Sequence, residues 1–168
     1  MQAGVIELNK ENFDLAENID EVTDLLSKLI EERNISLIRN YDSVIVYGDS
    51  MKIAQVIYNF VSNAIKHPGT GTVIEINVTV NEEKVRLEVK DNGEGIPEEA
   101  LPYIWDRYYK VNRSENYKRA VKGTGLGLSI VKGVFECHGF NYGVESEEGK
   151  GTTFWFECSA VKPPNENN

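Results

Sequence analysis

Three alternating glycines, Gly123, Gly125 and Gly127, run directly into a segment with helical apolar spacing that reaches about His138. Glycine lets the backbone take positive φ and approach a ligand closely, and the first N–H groups of a helix have no intrahelical partner. Such a junction cradles an anion, and phosphate is the natural guest. The spacing Gly-x-Gly-x-Gly lacks the Gly-Lys-Ser/Thr ending of a Walker loop and the Gly-x-x-Gly tail of a dinucleotide fingerprint, so a different phosphate-binding architecture is required. A plain glycine-rich connection would carry the same letters, and other motifs have to decide.

The 168 residues suit a single domain, and 40% hydrophobic residues suffice for a core. A net charge of −9 and a pI near 4.8 exclude a nucleic-acid or anionic-membrane binder, which the summed field would repel. Cys137 and Cys158 lack metal-ligand spacing and lie in apolar contexts, which reads as two reduced core thiols in a reducing, cytoplasmic compartment. No apolar run approaches the ~20 residues of a membrane helix, and the chain has no signal-peptide pattern, so a soluble domain is expected.

Asn12 or Asp14 can start a helix whose apolar residues Leu15, Ile19, Val22, Leu25, Leu26, Leu29 and Ile30 recur at helical spacing, with Asn34 ending it. Ile35 to Arg39 and Val44 to Tyr47 read as two strands paired with each other. Gly48 then leads into a second helix, capped by Asp49 and stopping at Pro68. Thr72 to Val80 and Lys84 to Lys90 alternate around a turn, which predicts a hairpin. A short helix near Glu98 to Ile104 precedes a segment without sustained period from Trp105 to Val121, the size of loop that is usually functional. Strands follow near Tyr142 to Ser146 and Thr152 to Ser159.

The second helix carries a polar stripe, Gln55, Asn59, Asn63 and His67, spaced four residues apart on one face. Asparagine is a poor interior helix former, so two of them one turn apart call for a reason. Their carbonyl oxygens suit Mg²⁺ beside a polyphosphate without adding negative charge, although solvated surface amides would give the same stripe. Lys66 can reach a phosphate as a point charge. Asp91 ends a strand that reads as buried, and a buried carboxylate needs a donor such as the exocyclic amine of a purine. Gly93 and Gly95 would let the base approach, and an ordinary Asp-Asn-Gly turn is the alternative. Between Arg107 and Lys122 stand Arg107, Lys110, Arg113, Lys118, Arg119 and Lys122 against Glu115, a basic lid in an acidic chain unless it is only a solvated charge run. Trp105, Tyr108 and Tyr109 supply apolar anchors for it.

In this order the motifs resemble the catalytic, ATP-binding domain of sensor histidine kinases, a branch of the GHKL ATPase superfamily. Gln55 to Lys66 resembles its N box, Asp91 to Ile96 and Gly123 to Leu128 its two glycine boxes, and Trp105 to Lys110 its F box. Gly149 to Phe154 resembles the family's closing turn. The resemblance implies an α/β fold, a two-layer sandwich with a mixed sheet of about five strands and three helices on one face. It implies one domain over residues 1–161, an ATP lid at about 105–123 and a flexible tail at 162–168. ATP and Mg²⁺ are the implied ligands, with Asn59 and Asn63 as the metal and phosphate site, their roles undivided, and Lys66 as a phosphate contact.

Asp91 would take the adenine amine, Gly93 and Gly95 admit the base, and Gly123, Gly125, Gly127 and Leu128 line the phosphates. The resemblance extends the nucleotide-contacting set to His67, Ile96, Tyr108, Lys122, Thr124, Leu126 and Thr153. Lys110, standing where the family places an arginine, would join Asn59 in catalysis, giving charge without the bidentate fork. His67 replaces an aromatic ring beside adenine, and Trp105 and Tyr108 replace phenylalanines.

Hydrolysing relatives carry a glutamate where Asn59 stands, and an amide cannot act as that general base. The γ-phosphate is therefore expected to go to a histidine on the dimerisation helices of a parent kinase, and onward to a response regulator. Neither His67 nor His138 sits in the family's acceptor motif, so the chain reads as an excised fragment, monomeric alone, from a homodimeric parent. A degenerate module that binds ATP only as a regulatory ligand is the rival, favoured by Lys110 alone. An anti-sigma serine kinase is a second, disfavoured because it carries the general base that Asn59 replaces.

Overall fold

The computed structural model describes residues 7–66, 71–106 and 127–162. A five-stranded mixed sheet, ordered β2-β4-β5-β7-β6, is built from β2 (Ser36–Asn40), β4 (Val73–Asn81), β5 (Lys84–Asp91), β6 (Asn141–Glu147) and β7 (Gly151–Ser159). Only β2 and β4 run parallel; β4–β5, β5–β7 and β6–β7 are antiparallel. A separate ribbon pairs β1 (Glu11–Asp14) with β3 (Ile45–Gly48). The helices are α1 (Leu15–Leu25), α2 (Ser27–Glu32), α3 (Ser50–Ile65) and α4 (Gly127–His138), and a 3-10 turn covers Glu98–Tyr103.

Alternation along the strands puts one face of the sheet under the helices. On β5 Val85, Leu87, Val89 and Asp91 point into the core, and on β7 Thr152, Phe154, Phe156 and Cys158 do the same. They meet Ile53, Val56, Ile57, Phe60, Val61 and Ala64 of α3 and Val131, Val134 and Phe135 of α4. Phe60 stacks on Phe154 with ring centroids 5.0 Å apart, and Phe135 stacks on Tyr142 at 5.0 Å. The opposite face carries Arg86, whose guanidinium lies 4.1 Å from the Trp155 ring centroid, with Glu88, Glu145 and Glu157 around it.

Three expectations need correction. The strands near 35–39 and 44–47 do not pair with each other. Asp14 selects β1 for β3, because its carboxylate accepts from Ser43 Oγ and the Val44 N–H while Leu15 N–H donates to Val44 O. β2 turns instead to β4, with Leu37 opposite Ile74, and Arg39 hydrogen-bonds Thr23 of α1. The first long helix is likewise two, broken at Leu26, where Ser27 Oγ takes the Asp24 carbonyl at 2.7 Å. Side chains of this type compete with the helix ladder for backbone groups. Cys158 is buried, and burial pushes its thiol up to about 12, but Cys137 is exposed on α4 and is no core residue.

Asp14 caps α1 and Asp49 caps α3, each accepting a backbone N–H of its helix's first turn. Burial pushes both carboxyls up. It is outweighed at Asp14 by donors from Ser43, Ala16 and Val44, and at Asp49 by the N–H groups of Asn9, Lys52 and Met51. Both groups finish below the ordinary 3.8. Their contribution to stability is complete above that value and is lost as pH falls through the lower folded-state values. Urea midpoints of the parent are expected to hold from pH 7 to 5 and drop below pH 3.8. Asp14→Asn and Asp49→Asn should each flatten that acid limb.

Candidate functional site

Packing places the amide stripe of α3 at the edge of the core. Asn59, Ser62 and Asn63 are half-buried between the fully buried Phe60, Val61 and Ala64, and Gln55 is exposed. Lys66 caps the helix C-terminus, where Arg33 Nη1 donates to the Ile65 carbonyl at 3.0 Å. The start of α4 comes directly over this stripe. A Cβ built on Gly127 would stand 3.1 Å from Asn59 Oδ1, so a residue with a side chain could not hold this position without moving the amide. Leu128 follows on α4, partly buried against the core. The last glycine of the run and the first asparagine of the stripe thus form one wall, with the leading N–H groups of α4 beside the Asn59 amide oxygen.

Asp91 forms a second element of the site. Only 4% exposed, it ends β5 on the helix-facing side, and its Oδ1 accepts the Gly93 N–H at 2.8 Å. The backbone around it is crowded. Gly151, at φ +121, passes so close that any Cβ would collide with the Asp91 carbonyl, and a Cβ on Gly95, at φ +75, would collide with the Glu147 carbonyl. The Ile96 N–H donates to Ser146 Oγ at 2.7 Å, and Glu94 O accepts from Gly149 N–H at 2.7 Å, which welds the loop after β5 to the β6–β7 turn. Asn92 bridges from the other side, its amide donating to Gly71 O and accepting from Val73 N–H.

Thr153 does not join this group. It is opposite Lys90 and Glu145 in register, on the sheet face away from the helices. Thr152 is opposite Asp91, shares its face, is 3% exposed, and lies 2.8 Å from Ser146 Oγ. Period two, counted back from the apolar Phe156 and Phe154, leads to Thr152, and the sequence reading missed it by one residue. Asn92 and Ser146 were also missed, and no spacing singles them out. His67, Tyr108, Lys110, Lys122, Gly123, Thr124, Gly125 and Leu126 lie outside the described residues, with most of the basic lid. The root of the lid is described: Trp105 sets its ring edge-on against Tyr142 at 5.1 Å and Phe154 at 5.8 Å.

A helix N-terminus beside the Asn59 amide oxygen suits an anion and the buried Asp91 carboxylate suits an amine, so a ligand that carries both groups fits this donor set. The amide donor set suits a hard cation that retains water. Two single substitutions separate the threonines. Thr152→Val should weaken binding of such a ligand, and Thr153→Val should leave it within error, both read by calorimetric titration with ATP.

The sequence profile described as histidine kinase-, DNA gyrase B-, and HSP90-like ATPase matches residues 48–162. The sensor histidine kinase WalK of Bacillus subtilis is 38% identical over 133 residues, which is 77% of this chain and 21% of that protein. The chain therefore spans about a fifth of that relative's length. The nucleotide-free catalytic domain of histidine kinase ThkA superimposes with a TM-score of 0.78 at 32% identity, over 92% of this chain and 99% of that one. Full-length ShkA in complex with AMPPNP gives 0.80 at 27% identity, over 95% of this chain and 33% of the other.

Proposed function

We propose, for a chain that belongs to the histidine kinase-, DNA gyrase B- and HSP90-like ATPase family, that the crevice binds Mg²⁺-ATP and presents its γ-phosphate to a histidine on another part of a sensor kinase. The observation that carries this reading is the close pass of Gly127 over Asn59, which brings a helix N-terminus and an amide oxygen to one point. Asp91 accepts the adenine amine, with Gly93 and Gly95 admitting the base and Ile96 and Thr152 beside it. Asn59 and Asn63 hold the metal through their carbonyl oxygens, and the metal would supply charge neutralisation at the phosphates. Gly127 and Leu128 offer backbone N–H groups to the same phosphates, and Lys66 adds a point charge. His67, Tyr108, Lys110 and residues 122–126 complete the site from the lid and its flanks.

This arrangement catalyses by position and charge rather than by proton abstraction. Asn59 has no basic lone pair with which to activate water, so hydrolysis is slow and the phosphoryl group is kept for its acceptor. The acceptor is a histidine on the dimerisation helices of the parent, which then hands the group to a response regulator. Such a domain works on the cytoplasmic side, where ATP is supplied. Its similarity to WalK and to ThkA supports this role.

Asn63→Ala should abolish the Mg²⁺ dependence of ATP affinity while the fold survives, since Asn63 is a half-buried amide and contributes little core volume. Titration of ATP with and without Mg²⁺ reads this, and an unchanged Mg²⁺ effect would remove Asn63 from the metal site. The chain alone should bind ATP and take up no label from γ-labelled ATP. Added dimerisation helices of the parent should become labelled slowly, in an acid-labile form, because mixing lacks the effective concentration of a tether. No label on a folded acceptor at saturating ATP would favour a regulatory ATP-binding module.

A further inference from the structure

The far ends of α3 and α4 meet at a contact that takes no part in holding the nucleotide. The two helices run antiparallel, since Gly127 at the start of α4 stands against Asn59 while His138 at its end reaches Asp49, the cap of α3. The Asp49 backbone N–H donates to His138 Nε2 at 3.0 Å. An accepting Nε2 assigns the ring proton to Nδ1, which donates to the Val134 carbonyl at 2.8 Å, one turn back along α4. Phe140 packs on the imidazole with centroids 4.7 Å apart. On the β3 side Gly48 leaves room for the ring and little more, because a Cβ there would stand 3.2 Å from it.

The cap is fixed from other directions as well. Asp49 Oδ1 accepts the Lys52 N–H, Oδ2 accepts the Asn9 N–H, and Asn18 Nδ2 donates to Ser50 O at 3.0 Å. The imidazole therefore ties the end of α4 to a point that cannot yield.

We propose that His138 is a positioning residue for the nucleotide crevice. By locking the end of α4 to the cap of α3 it sets the axial register of the two helices, and hence the contact of Gly127 with Asn59 roughly 16 Å away at 1.5 Å of rise per residue. Packed helices shift as bodies, so an offset at one end arrives at the other little diminished. A Cβ on Gly127 would stand 3.1 Å from Asn59 Oδ1, so the two elements pass within about one methyl group of each other, and a change of helix register alters that approach directly. The functional consequence rests on the nucleotide reading; the register itself does not.

The test follows two signals in nucleotide-free ¹H–¹⁵N spectra, the Gly127 backbone amide and the Asn59 side-chain amide, together with ATP affinity by calorimetry. His138→Phe keeps a ring on Phe140 and removes both hydrogen bonds. His138→Gln restores an acceptor near the Nε2 position. Gly48→Ala crowds the native imidazole from β3. The Phe variant should move both signals and weaken ATP about two- to tenfold, the span for losing the one hydrogen bond of the pair that joins the two helices. The Gln variant should recover most of both, and Gly48→Ala should move the same signals with His138 in place. A purely local role would lower the melting temperature of His138→Phe and leave the two distant signals where they are, which overturns the proposal. If that variant does not fold, unmoved signals in Gly48→Ala overturn it equally. Moved signals with unchanged ATP affinity would uphold the register and overturn its role for the nucleotide, whereas an unsubstituted chain that binds no ATP would overturn the nucleotide reading instead.

Discussion

α3 is held at both ends by groups from elsewhere in the chain, and the crevice depends on that restraint. At its start the Asp49 carboxylate closes the first turn while Asn9, Asn18 and His138 fasten the cap to three other segments. At its finish Arg33 takes the Ile65 carbonyl. Between these points the buried face of Ile53, Val56, Ile57, Phe60, Val61 and Ala64 fixes the rotation of the helix on the sheet. With translation and rotation both set, Asn59 and Asn63 have one place to be. A ligand then meets amides already oriented, and the entropy of orienting them is lost in folding rather than in binding.

The Asp91 carboxylate is positioned by backbone, not by a helix. Asp91 stands at the end of β5 because β7 passes beside it at Gly151, closer than any side chain permits, and Thr152 follows on the same face. The turn that brings Gly151 there is tied to the loop after β5 through Ser146 and Glu94. Residues far apart in sequence are thereby locked into one rigid rim. Burial of a carboxylate at such a rim is tolerable because donors are built in, the Gly93 N–H among them.

Where a feature depends on local period or chemistry, it was legible in the letters. The β4–β5 hairpin, α3 with its Asp49 cap, and the start of α4 at the glycine run stand where alternation, helical spacing and capping put them. The pairing of β3 was not legible, because the carboxylate of Asp14 and the free edge of β4 decide it, and neither belongs to the segment 35–47 itself. The break at Leu26 was hidden for a similar reason, since Val22, Leu26 and Ile30 keep a helical stripe straight through it. Of the candidate site residues, Gly127 and Asn59 are brought together, while Asp91 and Gly95 stand against the β6–β7 turn. Thr153 stands on the face away from the helices and Thr152 on the Asp91 face, a difference of one position, which in a strand is the other face.

The choice of an amide at Asn59 explains more of the design than its size suggests. A carboxylate in its place would differ little in volume, and the Gly127 backbone would fit over either. Beside a polyphosphate, however, a carboxylate adds a like charge and a base, whereas an amide adds an oxygen ligand and no negative charge. The chain already carries a net charge of −9, so a site for a polyanion has to be built from neutral donors and local cations. On the proposed reading the helix N-terminus at Gly127, the amides of α3 and Lys66 would answer that requirement together. On the same reading, that neutrality would remove the group that sends water to the γ-phosphate. A site assembled to hold a polyanion without opposing charge is, for that reason, one that retains the phosphoryl group until a nucleophile from outside arrives.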